Sequence, residues 1–284
     1  MENLLRRLIP LFKLYNFRLL IQLYEKYAAI RYRNRFETEI VFRGSRFIIG
    51  KDVTLFPSVY LGTYEKQELD ILQSAIFPKN LVFWDIGANV GLYSVLFGKR
   101  FPEGQVVAFE PNNELHSLLA KNLELNNISN CLIERKALSS HSGIGEMFSE
   151  ISRPGAGRIK LEIDPSEAAN RFEITTGDEY ILQHPLLIPG LIKIDVEGHE
   201  PEVIKGMAQI LSAHRPTLTI EVFKNLWESE RGALWEETLT FLFQVYGDST
   251  LITDGHSRIL RKWGPEHLTG GMQTLIFGLG NGKV

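Results

Sequence analysis

The chain has 284 residues, 44% of them hydrophobic, and 34 acidic side chains against 31 basic ones, for a formal net charge of -3. That supply of apolar residues fills one full core, and the near-balance of charge excludes the overall basic character of a nucleic-acid-binding protein. One cysteine, Cys131, excludes an internal disulfide, and its place in the apolar run "NCLIER" reads as a buried thiol in a reducing, cytoplasmic setting.

The first 35 residues are locally basic, with Arg6, Arg7, Lys13, Arg18, Lys26, Arg31, Arg33 and Arg35 against Glu2 and Glu25. Leu5, Leu8, Ile9, Phe12, Leu19 and Leu23 share one helical face, broken by Pro10. Such an amphipathic segment either covers the core, the preferred reading, or makes peripheral contact with an anionic membrane surface. No run approaches the roughly 18 apolar residues of a spanning helix, and no small-residue cleavage site follows. "EIVFRGSRFIIG" (39–50) reads as a hairpin turning at Gly44 and Ser45, and "YEKQELDILQSAIF" (64–77) as a helix. Residues 1–60 thus form a helical and hairpin extension ahead of a main domain over 61–284.

From residue 81 strands and helices alternate: "LVFWDI", then "GLYSVLFGKR", "QVVAFE", "NELHSLLAKNLELN" and "NCLIER". Alternation of this kind builds an α/β domain, a parallel sheet with helices on both faces. Residues 139–190, with scattered glycines and prolines, read as an insertion with irregular strands. Alternation resumes with the strand "GLIKIDV", one helix "EPEVIKGMAQILSA", the strand "TLTIEVF", a helix over 232–245, and two last strands in "STLIT" and "MQTLIFGL".

The turn "FWDIGANVGLYSV" (83–95) follows the first strand of that series. In a doubly wound sheet the ligand sits at the carboxyl ends of the central strands, where Gly87 and Gly91 let bare backbone approach it. Glu110 ends the next strand, 19 residues beyond Gly91, where a carboxylate can accept both ribose hydroxyls of an adenosine. The pattern D-x-G-x-N-x-G (Asp85, Gly87, Asn89, Gly91) is not the G-x-G-x-x-G of a nicotinamide site, and Asp85 would repel a pyrophosphate. It suits S-adenosylmethionine, which carries a sulfonium and an ammonium and no phosphate. A nicotinamide-dependent oxidoreductase and a non-catalytic adenosylmethionine-binding protein remain the rival readings.

"DIGANVGLYSV", "VVAFEPNNELHSLLAKNLELNN", "KIDVEGHEPEVIKGM" and "RPTLTIEV" together resemble the FkbM family of S-adenosylmethionine-dependent methyltransferases, over roughly residues 60–225. The resemblance implies the class I methyltransferase fold, a seven-stranded, mostly parallel Rossmann-like sheet with a last strand inserted antiparallel, and methyl transfer to a hydroxyl oxygen. By the same resemblance Gly87, Asn89 and Gly91 wrap the methionine part and Glu110, with Asn112 beside it, holds the ribose. Ala137 and Leu138 flank the adenine, and Tyr64 and Glu65 close over the cofactor. The chain departs from the family pattern at "TTGDEYI", where Gly177 rather than leucine precedes Asp178.

"IKIDVEGHE" places Asp195, Glu197, His199 and Glu200 within six residues at a strand end beside the cofactor turn. A hydroxyl acceptor must lose its proton, and two carboxylates with an imidazole can supply the base, so Asp195, Glu197 and His199 are the candidate catalytic residues. Glu200 and Glu202 flank Pro201 at a helix start, where acidic side chains suit the macrodipole. A metal site is the minority reading, because Val203 stands where H-E-x-x-H requires its second histidine. The expected acceptor is a small-molecule or glycan hydroxyl, with a carbohydrate or lipid-linked glycan preferred and no nucleic acid or divalent metal involved.

Overall fold

The structure is a computed structural model and describes residues 38–50, 55–150, 153–160, 171–223, 231–247, 250–253, 258–260 and 272–279. The amphipathic segment over residues 1–35 lies outside the described residues.

Strands β1 (Glu39–Phe42) and β2 (Ser45–Ile48) form the expected hairpin. The turn falls one residue earlier than expected, at Arg43 (φ 49°) and Gly44 (φ 74°). Two successive positive φ values make the type I′ turn whose twist matches that of a two-stranded ribbon. A short helix α1 (Leu55–Leu61), not anticipated because Pro57 and Ser58 mask its pattern, leads to α2 (Lys66–Ser74), shorter than the 64–77 expected. Ile40, Phe42, Phe47, Leu55, Phe56 and Val59 of this lead-in share one hydrophobic cluster with Leu69, Phe83 and Leu191. The hairpin and α1 are therefore packed onto the main sheet and share its core.

The alternating series follows as β3 (Val82–Ile86), α3 (Leu92–Arg100), β4 (Gln105–Phe109), α4 (Asn113–Leu125) and β5 (Cys131–Glu134). The segment over 139–190 is more regular than expected. β6 (Lys136–Leu138), β7 (Gly143–Glu150), β8 (Arg153–Lys160) and β9 (Arg171–Thr175) form a second sheet in the order β6-β9-β7-β8, followed by α5 (Gly177–Gln183).

After β10 (Leu191–Ile194) the single helix expected over "EPEVIKGMAQILSA" is two: α6 (Glu200–Lys205) and α7 (Ala208–His214). At the break the Gly206 carbonyl accepts the Asp178 amide, and a Cβ there would stand 1.9 Å from the Ser139 carbonyl oxygen, so the position takes a glycine. Asp178 accepts the Gln209 and Ile210 amides at the start of α7, and Met207 packs so closely that Gly177 has no room for a Cβ. The departure "GD" is thus a packing accommodation to Met207 beside a helix-capping aspartate.

β11 (Thr217–Phe223), α8 (Gly232–Tyr246), β12 (Thr250–Thr253), β13 (Arg258–Leu260) and β14 (Met272–Phe277) complete the chain. The main sheet runs β13-β12-β14-β11-β10-β3-β4-β5. Among the described residues it has eight strands where seven were expected; the extra one is β13, which extends the edge by pairing antiparallel with β12. β11, β10, β3, β4 and β5 are parallel, while β14 lies antiparallel between β11 and β12, as the resemblance implied.

Candidate active site

The turn after β3 is held against the Asp195 carbonyl, Leu119 and Glu110. Gly87 (φ 79°) packs against the next strand end, so that a Cβ would lie 1.9 Å from the Asp195 carbonyl oxygen. Gly91 (φ 84°) packs on Leu119, where a Cβ would lie 2.2 Å from Cδ1. These glycines answer first to left-handed backbone and close neighbours. Between them Asn89 (φ 52°) donates its amide to Glu110 Oε2 at 2.8 Å, while Glu110 Oε1 accepts the Asn112 amide at 2.8 Å. Glu110 therefore ties the glycine turn to the start of α4, where the Asn112 side chain caps the helix by accepting from the Glu114 and Leu115 amides. Burial pushes the Glu110 carboxyl up to about 7, against the pull of the two amides. Asn89 Oδ1 is buried and has no hydrogen-bond partner among the described residues. An orphaned acceptor beside a carboxylate with further acceptor capacity is the donor-poor cradle that an ammonium and two ribose hydroxyls would satisfy.

The other expected residues are distributed unevenly around this turn. Asp85 is 1% exposed and accepts the Ser94 hydroxyl at 2.6 Å beneath the start of α3. Burial raises its carboxyl to about 6, with Lys193 and Ser94 opposing. Ala137 and Leu138 lie on β6 with their side chains buried, the first against Phe172 and Ile174, the second in the cluster with Trp84. Tyr64 stands edge-on to Phe42, and Glu65, in the left-handed region at φ 38°, accepts the Tyr93 hydroxyl.

Of the three catalytic candidates, Asp195 stands in the best place. It follows β10 directly, its carbonyl covers Gly87, and its carboxylate, 21% exposed, receives the Lys193 Nζ at 2.9 Å. Glu197, at φ 53°, is exposed on the turn into α6. His199 turns the other way: Nε2 is 2.9 Å from Ser139 Oγ, and Nδ1 is 3.7 Å from Glu202 Oε2, itself on a carboxylate paired with Arg231. Burial holds the imidazole below its ordinary value despite Glu202, so it is neutral at pH 7. Glu200 is fully buried, and its Oε1 accepts the Val196 and Gly198 amides, which fixes the loop that carries Asp195.

Sequence reasoning missed the groups around Asp195. On the face of the sheet that carries Phe83 and Leu191, strand alternation places Asp85, Lys193, Asp195, Thr219, Glu221 and Thr274. Lys193 lies level with Asp85 and Thr219, and Glu221 with Thr274. From α2, Glu68 reaches down to accept the Thr219 hydroxyl at 2.8 Å and the Thr274 hydroxyl at 3.1 Å. Carboxylate oxygens of Glu65, Glu68 and Glu221 all lie within 4.8 Å of one another. Burial raises Glu68 to about 8 and lifts Glu221 well above the carboxylate range. The missed signal was the period-two spacing in "KID" and "TIE", which puts each charged or hydroxylated pair on one side of its strand.

The family model described as the methyltransferase FkbM domain matches residues 85–249, more than half of the chain. The hexuronic acid methyltransferase AglP of Haloferax volcanii is 32% identical over 133 residues, 46% of this chain and 52% of that protein. Methyltransferase 1 of Beauveria bassiana is 21% identical over 178 residues, 53% of this chain and 72% of that protein. The chain thus spans about half the length of the first of these relatives. Among solved structures, a methyltransferase FkbM from Methylobacillus flagellatus KT aligns with a TM-score of 0.44 and 15% identity, over 88% of this chain and 59% of that one.

Proposed function

Because the chain belongs to the FkbM methyltransferase domain family, we propose that it transfers a methyl group from S-adenosylmethionine to a hydroxyl of a carbohydrate or lipid-linked glycan. The observation that carries the oxygen acceptor is the Asp195 carboxylate, partly open to solvent at the end of β10 and fixed against the cofactor turn through its own carbonyl. The name of the Haloferax volcanii relative supports a sugar acceptor.

The cosubstrate brings an electrophilic methyl group on a sulfonium. Asn89, Gly87 and Glu110 would hold its methionine and ribose parts. Asp195 would orient the acceptor hydroxyl and take its proton as the oxygen bonds to the methyl carbon in line and the carbon–sulfur bond breaks, its electron pair leaving with S-adenosylhomocysteine. Holding oxygen and methyl together can contribute about 7 to 11 kcal/mol, and a positioned base about 10²- to 10⁴-fold more. His199, neutral and bonded to Ser139, and Glu200 serve by holding the loop that carries Asp195.

The test is a screen of neutral glycosides, uronic acids and small alcohols with S-adenosylmethionine labelled in the methyl group. The expected product is a methyl ether, stable to mild alkali. Label lost in mild alkali would mark a carboxyl ester, and label on nitrogen an amine; either overturns the hydroxyl assignment.

A further inference from the structure

Beside Asp195 the chain gathers acidic groups that its own cations leave unpaired. Carboxyl oxygens of Glu65, Glu68 and Glu221 all lie within 4.8 Å of one another, and Glu68 and Glu221 are only 2% and 5% exposed. Among the described residues no lysine or arginine forms an ion pair with any of the three; Lys193, on the same face, gives its ammonium to Asp195 at 2.9 Å. Glu65 accepts the Tyr93 hydroxyl, and Glu68 accepts those of Thr219 and Thr274. Glu221 takes no hydrogen bond from any described residue, and a buried acceptor without a donor is unfavourable until a ligand supplies one. β10 and β11 run parallel with Ile194 level with Ile220, so the residues that follow, Asp195 and Glu221, stand side by side on one face, a strand spacing of about 4.8 Å apart.

We propose that Glu65, Glu68 and Glu221 form a subsite for an ammonium group on the acceptor, which is therefore an amino sugar: its hydroxyl lies against Asp195 and its amine, on the neighbouring carbon, against Glu221. An ammonium directs three N–H donors tetrahedrally, and at N···O distances of about 2.8 Å they meet oxygens roughly 4.6 Å apart, inside the spread of this cluster. Each carboxylate oxygen has two lone pairs, so Glu65 and Glu68 can accept an N–H besides the hydroxyls they already hold. The ammonium is complete with three oxygens, where a divalent ion takes about six or more. Held protonated, the nitrogen has no lone pair with which to attack the methyl, and the hydroxyl is left as the nucleophile. The same carboxyls repel the carboxylate of a uronic acid and stay unpaired under a neutral glycoside. The role of Asp195 in this arrangement rests on the function proposed above; the ammonium subsite does not.

The experiment titrates the full chain, with and without S-adenosylhomocysteine, with the methyl glycosides of glucosamine, galactosamine and mannosamine. Each is set beside its N-acetyl form, the matching neutral glycoside and the matching uronic acid, and binding is read by calorimetry. At least one free amine should bind tenfold or more tighter than its three counterparts. Glu221→Gln, which keeps the volume and removes the charge, should bring that preference to within threefold and leave the affinity for S-adenosylhomocysteine unchanged. Should Glu221→Gln fail to fold, Glu65→Gln, at the half-buried edge of the cluster, is expected to cause the same loss of preference. Amines that bind no better than their N-acetyl forms would overturn the proposal, as would a preference that Glu221→Gln leaves intact. So would a loss of S-adenosylhomocysteine affinity in Glu221→Gln, which would give the cluster to the cofactor's own ammonium, or Mn²⁺ uptake by wild type that Glu221→Gln abolishes. Label transfer from S-adenosylmethionine keeps the two readings apart. An amino sugar that binds with this preference but receives no methyl counts against the methyltransferase reading and leaves the subsite standing; methyl ethers formed only on neutral glycosides or uronic acids do the reverse.

Discussion

The two faces of the main sheet differ in kind, although the same strands make both. One face carries Trp84, Ile86, Ile192, Ile194, Leu218, Ile220, Leu275 and Phe277, each less than 2% exposed. The other carries Asp85, Lys193, Asp195, Thr219, Glu221 and Thr274 beneath α2. Apolar burial contributes about 25 cal/mol per Å² without any demand on direction, and the indole N–H that Trp84 brings to the first face is met by the Leu187 carbonyl. On the second, the Ser94 hydroxyl donates to Asp85, those of Thr219 and Thr274 donate to Glu68, and the Lys193 ammonium pairs with Asp195. Both faces bury an apolar cluster, since Phe83, Leu191 and Ile276 on the second pack with the hairpin and α1, but the second also carries the charged groups, close to the glycine turn after β3.

Truncations on each face break this comparison most sharply. Trp84→Ala removes a fully buried ring packed against Phe109 and Tyr180, together with its bond to the Leu187 carbonyl. It should cost about 3 to 5 kcal/mol in urea unfolding. Glu110→Ala should leave the fold in place but weaken S-adenosylmethionine, since bonds to a charged group are worth roughly 1.5 to 3 kcal/mol each. Unchanged affinity by calorimetry would remove Glu110 from the site.

The polar face should also impose a pH dependence that the apolar face cannot. Glu68, Glu110 and Glu200 are raised in the fold, to about 8, 7 and 7 from 4.5, so folding takes up protons above pH 4.5. Their contribution is fully present below the unfolded value and is lost as pH rises through the folded ones. His116 and His199, lowered in the fold, act oppositely below about 6.5. The apo protein should therefore gain stability as pH falls from 8 to 6.5, on the order of 1 kcal/mol or more, and Glu68→Gln should flatten that slope. A profile that is level in wild type would mean that the buried layer is charge-compensated by some other group. The smallest expected effect is Ser139→Ala, which removes the bond to His199 and should cost about 0.5 to 1.5 kcal/mol.

Much of this architecture is legible in the chain itself. Runs such as "QVVAF" and "LIKI" end in charge and turn into helical patterns, so the parallel strands fall within a residue or two of their expected bounds. What escapes is set by contacts between distant segments. Gly206 looks like a tolerated helical glycine until Ser139 is seen against it, and α1 is a helix only because Leu55, Phe56 and Val59 meet the hairpin. The glycine turn and Glu110 were legible because their chemistry is local. The layer around Lys193 was not, since Glu68 meets Thr219 and Thr274 across 151 and 206 residues.

The account turns on Asp195, and the most direct test compares wild type with Asp195→Asn for turnover of the acceptor found by label transfer and for S-adenosylmethionine affinity. A base predicts a fall in turnover of about 10²-fold or more with cofactor affinity kept, and no dependence on divalent metal in either protein. Turnover within about threefold of wild type in Asp195→Asn would contradict it, as would activity that chelator abolishes and a divalent cation restores.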